Sequence, residues 1–393
     1  MPSTLSNTGS TFARRAATSL ASAGVSVGEV TAERLADSGV PAARAIGARP
    51  RDIVLHTAGS PHLRDGQFAN TEPATPGADA GMGIFVDMVR RPGNPNRPVR
   101  VEKSVFAPEP GEIAVHWLGH ASALVELDGR RILTDPVFSR RCSPSQLVGP
   151  ARMHPSPVTV ADLPDIDVVL ISHDHYDHLD MATVTELARL QSTTRFVAPI
   201  GVGAHLQAWG IPADRISQAD WWGTCELDLD GVPMTFACSP TRHFSGRWLI
   251  RNLTQWASWS VLGPRHRFFF SGDTGFSEKF EEVGHRYGPF DLTLVAVGAY
   301  DPVWPEVHVN PEEAVTIHRM LSGDAHRDAV MLPIHWGTFN LARHRWADPI
   351  ERLLPYAEAN ATTVVVPPPG GFIDLTNRTG SGLTDPDWWQ VSA

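Results

Sequence analysis

Short apolar runs bounded by turn residues dominate the central and C-terminal parts of this chain, and they predict strands. Ile113–Leu118 and Ala123–Leu127 are the first two, and Asp128-Gly129 turns the chain into a third over Arg131–Thr134. Asp167-Val168-Val169-Leu170 reads as a buried strand. Further strands are predicted at Phe196–Pro199, Met234–Cys238, Trp259–Leu262, Arg267–Ser271, Leu292–Val297, Ala329–Pro333 and Thr363–Val366. Helical spacing of apolar residues marks Met181–Leu190, Ala204–Gly210 (closed by its glycine) and Pro311–Leu321. The last of these opens with proline and two glutamates, which suit the positive end of a helix.

The N-terminal part reads differently. Residues 1 to about 50 are rich in Ala, Ser, Thr and Gly, and Ala32–Ala48 predicts a short helix or two broken at Gly39 and Pro41. From Arg49 to Pro110, clusters of Pro, Gly and Asn predict loops that wrap over the domain that follows. Arg14-Arg15 before an Ala/Ser-rich stretch imitates a twin-arginine export signal, but only Leu20, Val25 and Val27 supply bulk there. A disordered or loosely helical leader is the expectation. The predicted organisation is a leader and loop-rich wrap over residues 1–110, then a catalytic domain over 111–393 with a short C-terminal tail. The strands of that domain divide near residue 235 into two halves with no sequence repeat between them. Two mixed sheets facing each other with helices outside would be consistent with this, though periodicity alone does not establish it.

A composition of 42% hydrophobic and 19% charged residues fits a globular chain, and the net charge of −10 argues against nucleic acid as the main partner. Cys142, Cys225 and Cys238 are scattered and match neither a zinc-finger spacing nor a disulfide framework. No apolar run of 18 residues exists, so no membrane-spanning helix is expected and the predicted location is cytoplasmic or peripheral to a membrane.

The chemistry concentrates in Ile171–Asp180, I-S-H-D-H-Y-D-H-L-D, at the end of the buried strand. His173, His175, Asp177 and His178 together point to a divalent metal, because neutral imidazole nitrogen and carboxylate oxygen are what zinc takes. In an extended segment His173, His175 and Asp177 point the same way and His178 follows as the chain turns, so one strand end can feed two neighbouring ions. A solvated histidine-rich loop fits poorly with the buried strand leading into it. A two-metal site needs further ligands, and three polar residues stand just past apolar strands: His243, Asp273 in S-G-D-T-G, and His335 in P-I-H-W-G. Singly, each could be a hydrogen-bonded core residue or a turn cap.

H-x-H-x-D-H, a strand-end histidine, G-D-T-G and a late histidine together resemble the metallo-β-lactamase superfamily. The resemblance implies an α/β fold, a four-layer αβ/βα sandwich. It also implies that His173, His175 and His243 hold one zinc, Asp177, His178 and His335 the other, and that Asp273 bridges them. Further strings are similar to one branch, the N-acylphosphatidylethanolamine-hydrolysing phospholipases D: W-L-G-H-A at 117–121, L-T-D-P at 133–136, S-P-S-Q at 143–146, D-W-W at 220–222, W-S-V-L-G-P at 259–264, G-A-Y at 298–300, P-E-E-A at 311–314 and I-H-W-G-T at 334–338.

For that branch the implied reaction is hydrolysis of N-acylphosphatidylethanolamine to phosphatidic acid and an N-acylethanolamine. By the resemblance, two divalent cations would lower the pKa of a shared water so that it could attack phosphorus in line. The implied catalytic residues are Asp177 and Asp273, with His308 donating a hydrogen bond to the phosphate or leaving oxygen. Gln146 and His308 are the implied substrate contacts; Leu147 stands where the branch carries an aromatic residue. Asp135 and Asp180 are expected to orient ligand histidines, and Asp174 and Tyr176 to pack or face solvent. Trp221, Trp222, Trp256, Trp259 and Trp336 read as core. A glycerophospholipid substrate, peripheral membrane contact and a homodimer follow from the resemblance. Three alternatives stay open: hydrolysis of a small soluble phosphodiester or lactone, other divalent metals in place of zinc, and a metal-binding scaffold without activity.

Overall fold

The computed structural model describes residues 41–73, 93–247 and 251–392, so Arg14-Arg15 and most of the Ala32–Ala48 stretch lie outside the described residues. Helix α1 (Pro50–Thr57) starts on a proline inside the stretch predicted as loop. The sandwich begins with an antiparallel meander of β1 (Ile113–Gly119), β2 (Ser122–Leu127) and β3 (Arg130–Thr134). Parallel strands follow through crossovers: β4 (Val168–Leu170), α2 (Met181–Leu190), β5 (Arg195–Pro199), α3 (Val202–Ala208) and β6 (Ile216–Ala219). The second sheet takes β7 (Thr224–Leu229), β8 (Val232–Pro240), β9 (Ala257–Leu262) and β10 (Arg267–Phe270). It continues through α4 (Lys279–Tyr287), β11 (Leu292–Ala296), α5 (Pro311–Ser322), β12 (Val330–Ile334), α6 (Asp348–Ala359) and β13 (Thr363–Val364). The chain then returns to the first sheet with β14 (Phe372–Asp374) and β15 (Thr379–Gly380).

The strand orders are β15-β14-β1-β2-β3-β4-β5-β6 and β13-β12-β11-β10-β9-β8-β7. Side-chain alternation explains why the sheets stack. Val168 and Leu170 join the core between the sheets, with Trp259, Phe268 and Phe270 from the other side, whereas Val169 and Ile171 turn outward to Val184, Leu187 and Leu206 of α2 and α3. Phe280, Val283, Val315, Leu321, Ile350 and Leu353 cover the second sheet from α4, α5 and α6. The result is the expected four-layer αβ/βα sandwich. Trp221, Trp256, Trp259 and Trp336 are buried core residues, and Trp222 is half-buried.

The sheet boundary falls between Ala219 and Thr224, not near residue 235, and the C-terminal strands cross back. The elements that escaped the pattern are those whose pattern is weak. Strand β7 lies at a sheet edge with alternate residues in solvent, and α6 carries Pro355 in its interior. Helix α4 holds Gly284, where a Cβ would meet the Met320 carbonyl oxygen at 2.4 Å.

Leu353 is fully buried beneath α6. Leu353→Ala is expected to lower unfolding stability by about 2–5 kcal/mol in a urea titration. A cost below about 1 kcal/mol would mean that α6 is not docked on the sheet as described.

Candidate metal centre

Within each sheet β1, β3 and β4, and β8, β10, β11 and β12, run in the same direction. The chemistry-bearing residues follow the C-terminal ends of these strands. His120 follows β1, Asp135 follows β3, His173–His178 follow β4, His243 follows β8, Asp273 follows β10 and His335 follows β12. The loop after β4 does not stay extended to Asp177: His178 and Leu179 donate backbone N–H bonds to the His175 carbonyl at 3.1 and 2.8 Å, closing a turn that begins at His175. Turn closure brings Asp177 and His178 round to the other side of the cluster from His175.

Among the groups of donor atoms that result, two are four-membered, each within 4.8 Å: His173, His175, His243 and Asp273, and His120, Asp177, His178 and His335. In the first, His175 Nδ1 lies 2.8 Å from His173 Nε2 and 3.2 Å from His243 Nε2. Asp273 Oδ2 stands 3.6 Å from His243 Nε2 and 3.9 Å from His173 Nε2. In the second, Asp177 Oδ2 is 3.5 Å from His178 Nε2 and 3.3 Å from His335 Nε2. Asp273 reaches this group too, with Oδ2 at 3.1 Å from His178 Nε2 and Oδ1 at 3.2 Å from His335 Nε2. Among the described residues His178 Nε2 and Asp273 Oδ1 are buried without a hydrogen-bond partner. Imidazole nitrogens facing one another and orphaned buried polar atoms are what a cation would satisfy, so the donor set fits divalent metal.

Contacts behind these atoms set their orientation. Asp135 accepts from His178 Nδ1 at 2.7 Å and from the Ser172 backbone N–H at 2.7 Å, leaving His178 Nε2 aimed into the cluster. His243 Nδ1 donates to the Val307 carbonyl at 3.0 Å, which likewise frees Nε2. Asp180, expected beside a histidine, instead starts α2: it accepts from Ala182 N at 3.3 Å and Thr183 Oγ1 at 2.6 Å. A cap position satisfies that carboxylate locally, so it has no reason to reach the cluster. Asp174 is buried, accepting from Gly246 N at 2.7 Å and Thr254 Oγ1 at 2.9 Å, and Tyr176 donates its hydroxyl to the Arg247 carbonyl at 2.5 Å.

His308 lies at the rim, its ring stacked 5.0 Å from His335 and its Nδ1 3.9 Å from Asp273 Oδ2. Gln146 is exposed, and both ends of its amide bond the Arg141 backbone, each at 3.0 Å, so the structure does not bring it to the donor atoms. His120, in W-L-G-H-A, joins the cluster without having been expected there. Its Nε2 stands 3.1 Å from Asp177 Oδ2, and its carbonyl accepts the His335 N–H at 3.1 Å. The signal was available: a histidine directly after a strand ending in glycine, like the other strand-end ligand candidates.

Electrostatics divides the histidines. Burial, then the neighbouring imidazoles, keeps His173 well below its ordinary pKa. Burial also wins at His175 and His243 over the attraction of nearby carboxylates, so all three favour the neutral, ligating form. Burial alone would lower His178 and His335 as well, but Asp273 and Asp177 outweigh it, lifting His178 well above normal and His335 to about 9. Burial alone would raise Asp177 and Asp273, yet the same imidazoles hold both well below the usual carboxylate range.

With this geometry in hand, comparison with known proteins identifies the class. A family model described as "Beta-lactamase superfamily domain" matches residues 130–336, and the chain belongs to that family. It is a metal-dependent hydrolase of the metallo-β-lactamase superfamily. An uncharacterised protein of Mycobacterium tuberculosis is 46% identical over 359 residues, 90% of this chain and 93% of that one. N-acyl-phosphatidylethanolamine-hydrolyzing phospholipase D 1 of Caenorhabditis elegans is 39% identical over 241 residues, 60% of this chain and 66% of that one. Among solved structures, a metallo-hydrolase from Ignicoccus hospitalis matches with a TM-score of 0.52 at 22% identity, covering 66% of this chain and 97% of that one, and it supports the fold.

Protonated His335 and His178 are counter-ions to Asp177 and Asp273 when no metal is present. Their folded-state pKa values are raised, so the stability they contribute is full below the unfolded value near 6.5 and is lost as pH rises through about 9 for His335. Chelator-treated protein should therefore show a falling thermal midpoint from pH 6.5 to 9, a slope that added zinc abolishes. A flat or rising midpoint in the chelated protein across that window would refute this ionic arrangement.

Proposed function

We propose that this chain is a dinuclear zinc phosphodiesterase of the phospholipase D type, hydrolysing N-acylphosphatidylethanolamine to phosphatidic acid and an N-acylethanolamine. The observation that carries the reading is the pair of donor groups joined by one carboxylate, Asp273. The phospholipid assignment is supported by the relative from C. elegans and by the branch-specific strings. His173, His175 and His243 would hold one ion, Asp177, His178 and His335 the other, and Asp273 both. Two bound divalent cations would supply Lewis acidity toward the phosphoryl oxygens and an acidified water.

The protein's own residues do the rest. His175, Asp177 and His308 are the part-exposed members of the cluster, so the phosphodiester enters on their side. His308 is held near pKa 3, mainly by burial and then by His335 against the pull of Asp273. It is therefore neutral at pH 7 and donates one N–H, which suits a non-bridging or leaving oxygen. His120 holds Asp177 through its Nε2, at 3.1 Å from Oδ2. Gln146 serves the substrate only by exchanging its bonds to Arg141. Peripheral membrane contact is supported by Leu147 and Val148, exposed on a loop whose Cys142 is buried in a cluster with Val137 and Phe339. Among the described residues no helix is long and apolar enough to cross a membrane.

The test offers metal-quantified protein an N-acylphosphatidylethanolamine in mixed micelles and, separately, a soluble bis-aryl phosphodiester. Two zinc ions per chain and lipid turnover are expected, with Asp273→Asn reducing kcat/KM at least ~100-fold, as for loss of a preorganised electrostatic group. Turnover of the soluble ester alone would sink the phospholipase assignment while keeping the hydrolase.

A further inference from the structure

The loop that carries His173–His178 is fastened from outside the family unit. Arg247 is buried, and its guanidinium donates to three carbonyls. Nη1 bonds Asp174 O at 2.7 Å and Leu179 O at 2.8 Å, the two ends of the turn. Nε and Nη2 both bond Ala45 O, at 3.1 and 2.7 Å. The guanidinium carbon Cζ lies 4.2 Å from the Tyr176 ring centroid and 5.0 Å from that of Trp209. A planar fork with several fixed donors can do this; a lysine ammonium cannot match it.

A second connection runs alongside. The Ala48 N–H donates to His205 Nδ1 at 3.0 Å, which places the His205 proton on Nε2, 3.3 Å from Asp174 Oδ2. Asp174 sits between His173 and His175, so its carboxylate, held by His205, Thr254 and Gly246, fixes the backbone from which both imidazoles project. Backbone atoms of residues 44–48 make these contacts, and Trp209 Nε1 adds a bond to Arg44 O at 2.7 Å. The close approach depends on Gly47: its φ is +96°, and a Cβ there would lie 2.2 Å from His205 Nδ1.

We propose that residues 44–48 form a strap that completes the metal centre, with Arg247, Asp174 and His205 as positioning residues that transmit its docking to His173, His175 and His178. The strap lies well before residue 130, where the family match begins. The proposal rests on reading the cluster as a metal centre, and its test separates the two. Apo protein is titrated with Co(II), reading affinity and the visible d–d spectrum, which reports ligand geometry. Wild-type protein that binds no cobalt at the cluster would defeat the metal-centre reading itself. Given wild-type binding, Gly47→Ala and Arg247→Lys are each expected to weaken cobalt affinity about 10- to 100-fold, the range for lost outer contacts, and to shift the spectrum. Leu353→Ala, destabilised far from the strap, should leave affinity and spectrum as in wild type. Wild-type affinity and spectrum in folded Gly47→Ala and Arg247→Lys would overturn the strap. If either variant fails to fold by far-UV circular dichroism, Thr254→Val decides. It removes one donor to Asp174 with little change of shape and so tests the transmission step on which the strap depends: an unmoved spectrum there overturns the proposal, and a shift in the same direction as in whichever strap variant folds supports it.

Discussion

Asp273 is the group on which the arrangement turns. Its carboxylate is buried at the seam of two sheets, with imidazole nitrogens of His178, His243 and His335 within 3.6 Å. A carboxylate removed from water is costly unless it is paired or coordinated, and here every partner arrives from a different strand. The same holds for Asp135, fully buried and satisfied by His178 and Ser172. The polar groups at this edge are therefore mutually dependent: removing one leaves another charged or unsatisfied in a low-dielectric surround. The hydrophobic layers above and below fix the strand ends to which this network is tied.

The seam between the sheets carries visible backbone strain. His120, Asp135 and His335 all have positive φ, at +55°, +31° and +62°, although none is glycine. Each is the turning point where a strand stops and a polar side chain is re-aimed into the cluster. His335 N–H to His120 O links the end of the first sheet to the end of the second, and Trp117 Nε1 adds a bond to the same carbonyl at 2.9 Å. Such conformations persist where surrounding contacts over-determine them, which is common at functional sites.

Much of the sandwich was legible because buried strands announce themselves. Ile113–Gly119, Ser122–Leu127, Leu292–Ala296 and Val330–Ile334 are apolar runs with turn residues at both ends, and Met181–Leu190 has unmistakable helical spacing. The residues gathered at the centre were legible for a related reason: His173, His243, Asp273 and His335 each stand one to three positions past such a run, and His175, Asp177 and His178 follow His173 in one short motif. What stayed hidden was whatever depends on a distant partner. His120 carried a local signal, its place directly after a strand, but its partners Asp177 and His335 lie far along the chain. Asp174 read as a spacer between histidines, yet its partners are 31, 72 and 80 residues away. Asp180 misled in the opposite direction, since a carboxylate after a metal motif and a helix cap look the same in sequence.

The loop at Gln146 and Leu147 offers little to a phosphate. Leu147 is largely exposed and has no hydroxyl to give, while the neighbouring Gln146 amide is already bonded at both ends. Under the proposed reaction, direct recognition of the phosphodiester by side chains then falls chiefly on His308, with the ions carrying most of the charge neutralisation. One neutral donor discriminates weakly between phosphodiesters, because a lost single hydrogen bond is worth only about 1 kcal/mol net. Selectivity for a membrane lipid would then have to come from apolar contact, and Leu147 and Val148 are exposed apolar side chains on the same loop as Gln146. Under the proposed reaction, such apolar contact would favour a substrate presented in a lipid surface over a small diester in solution.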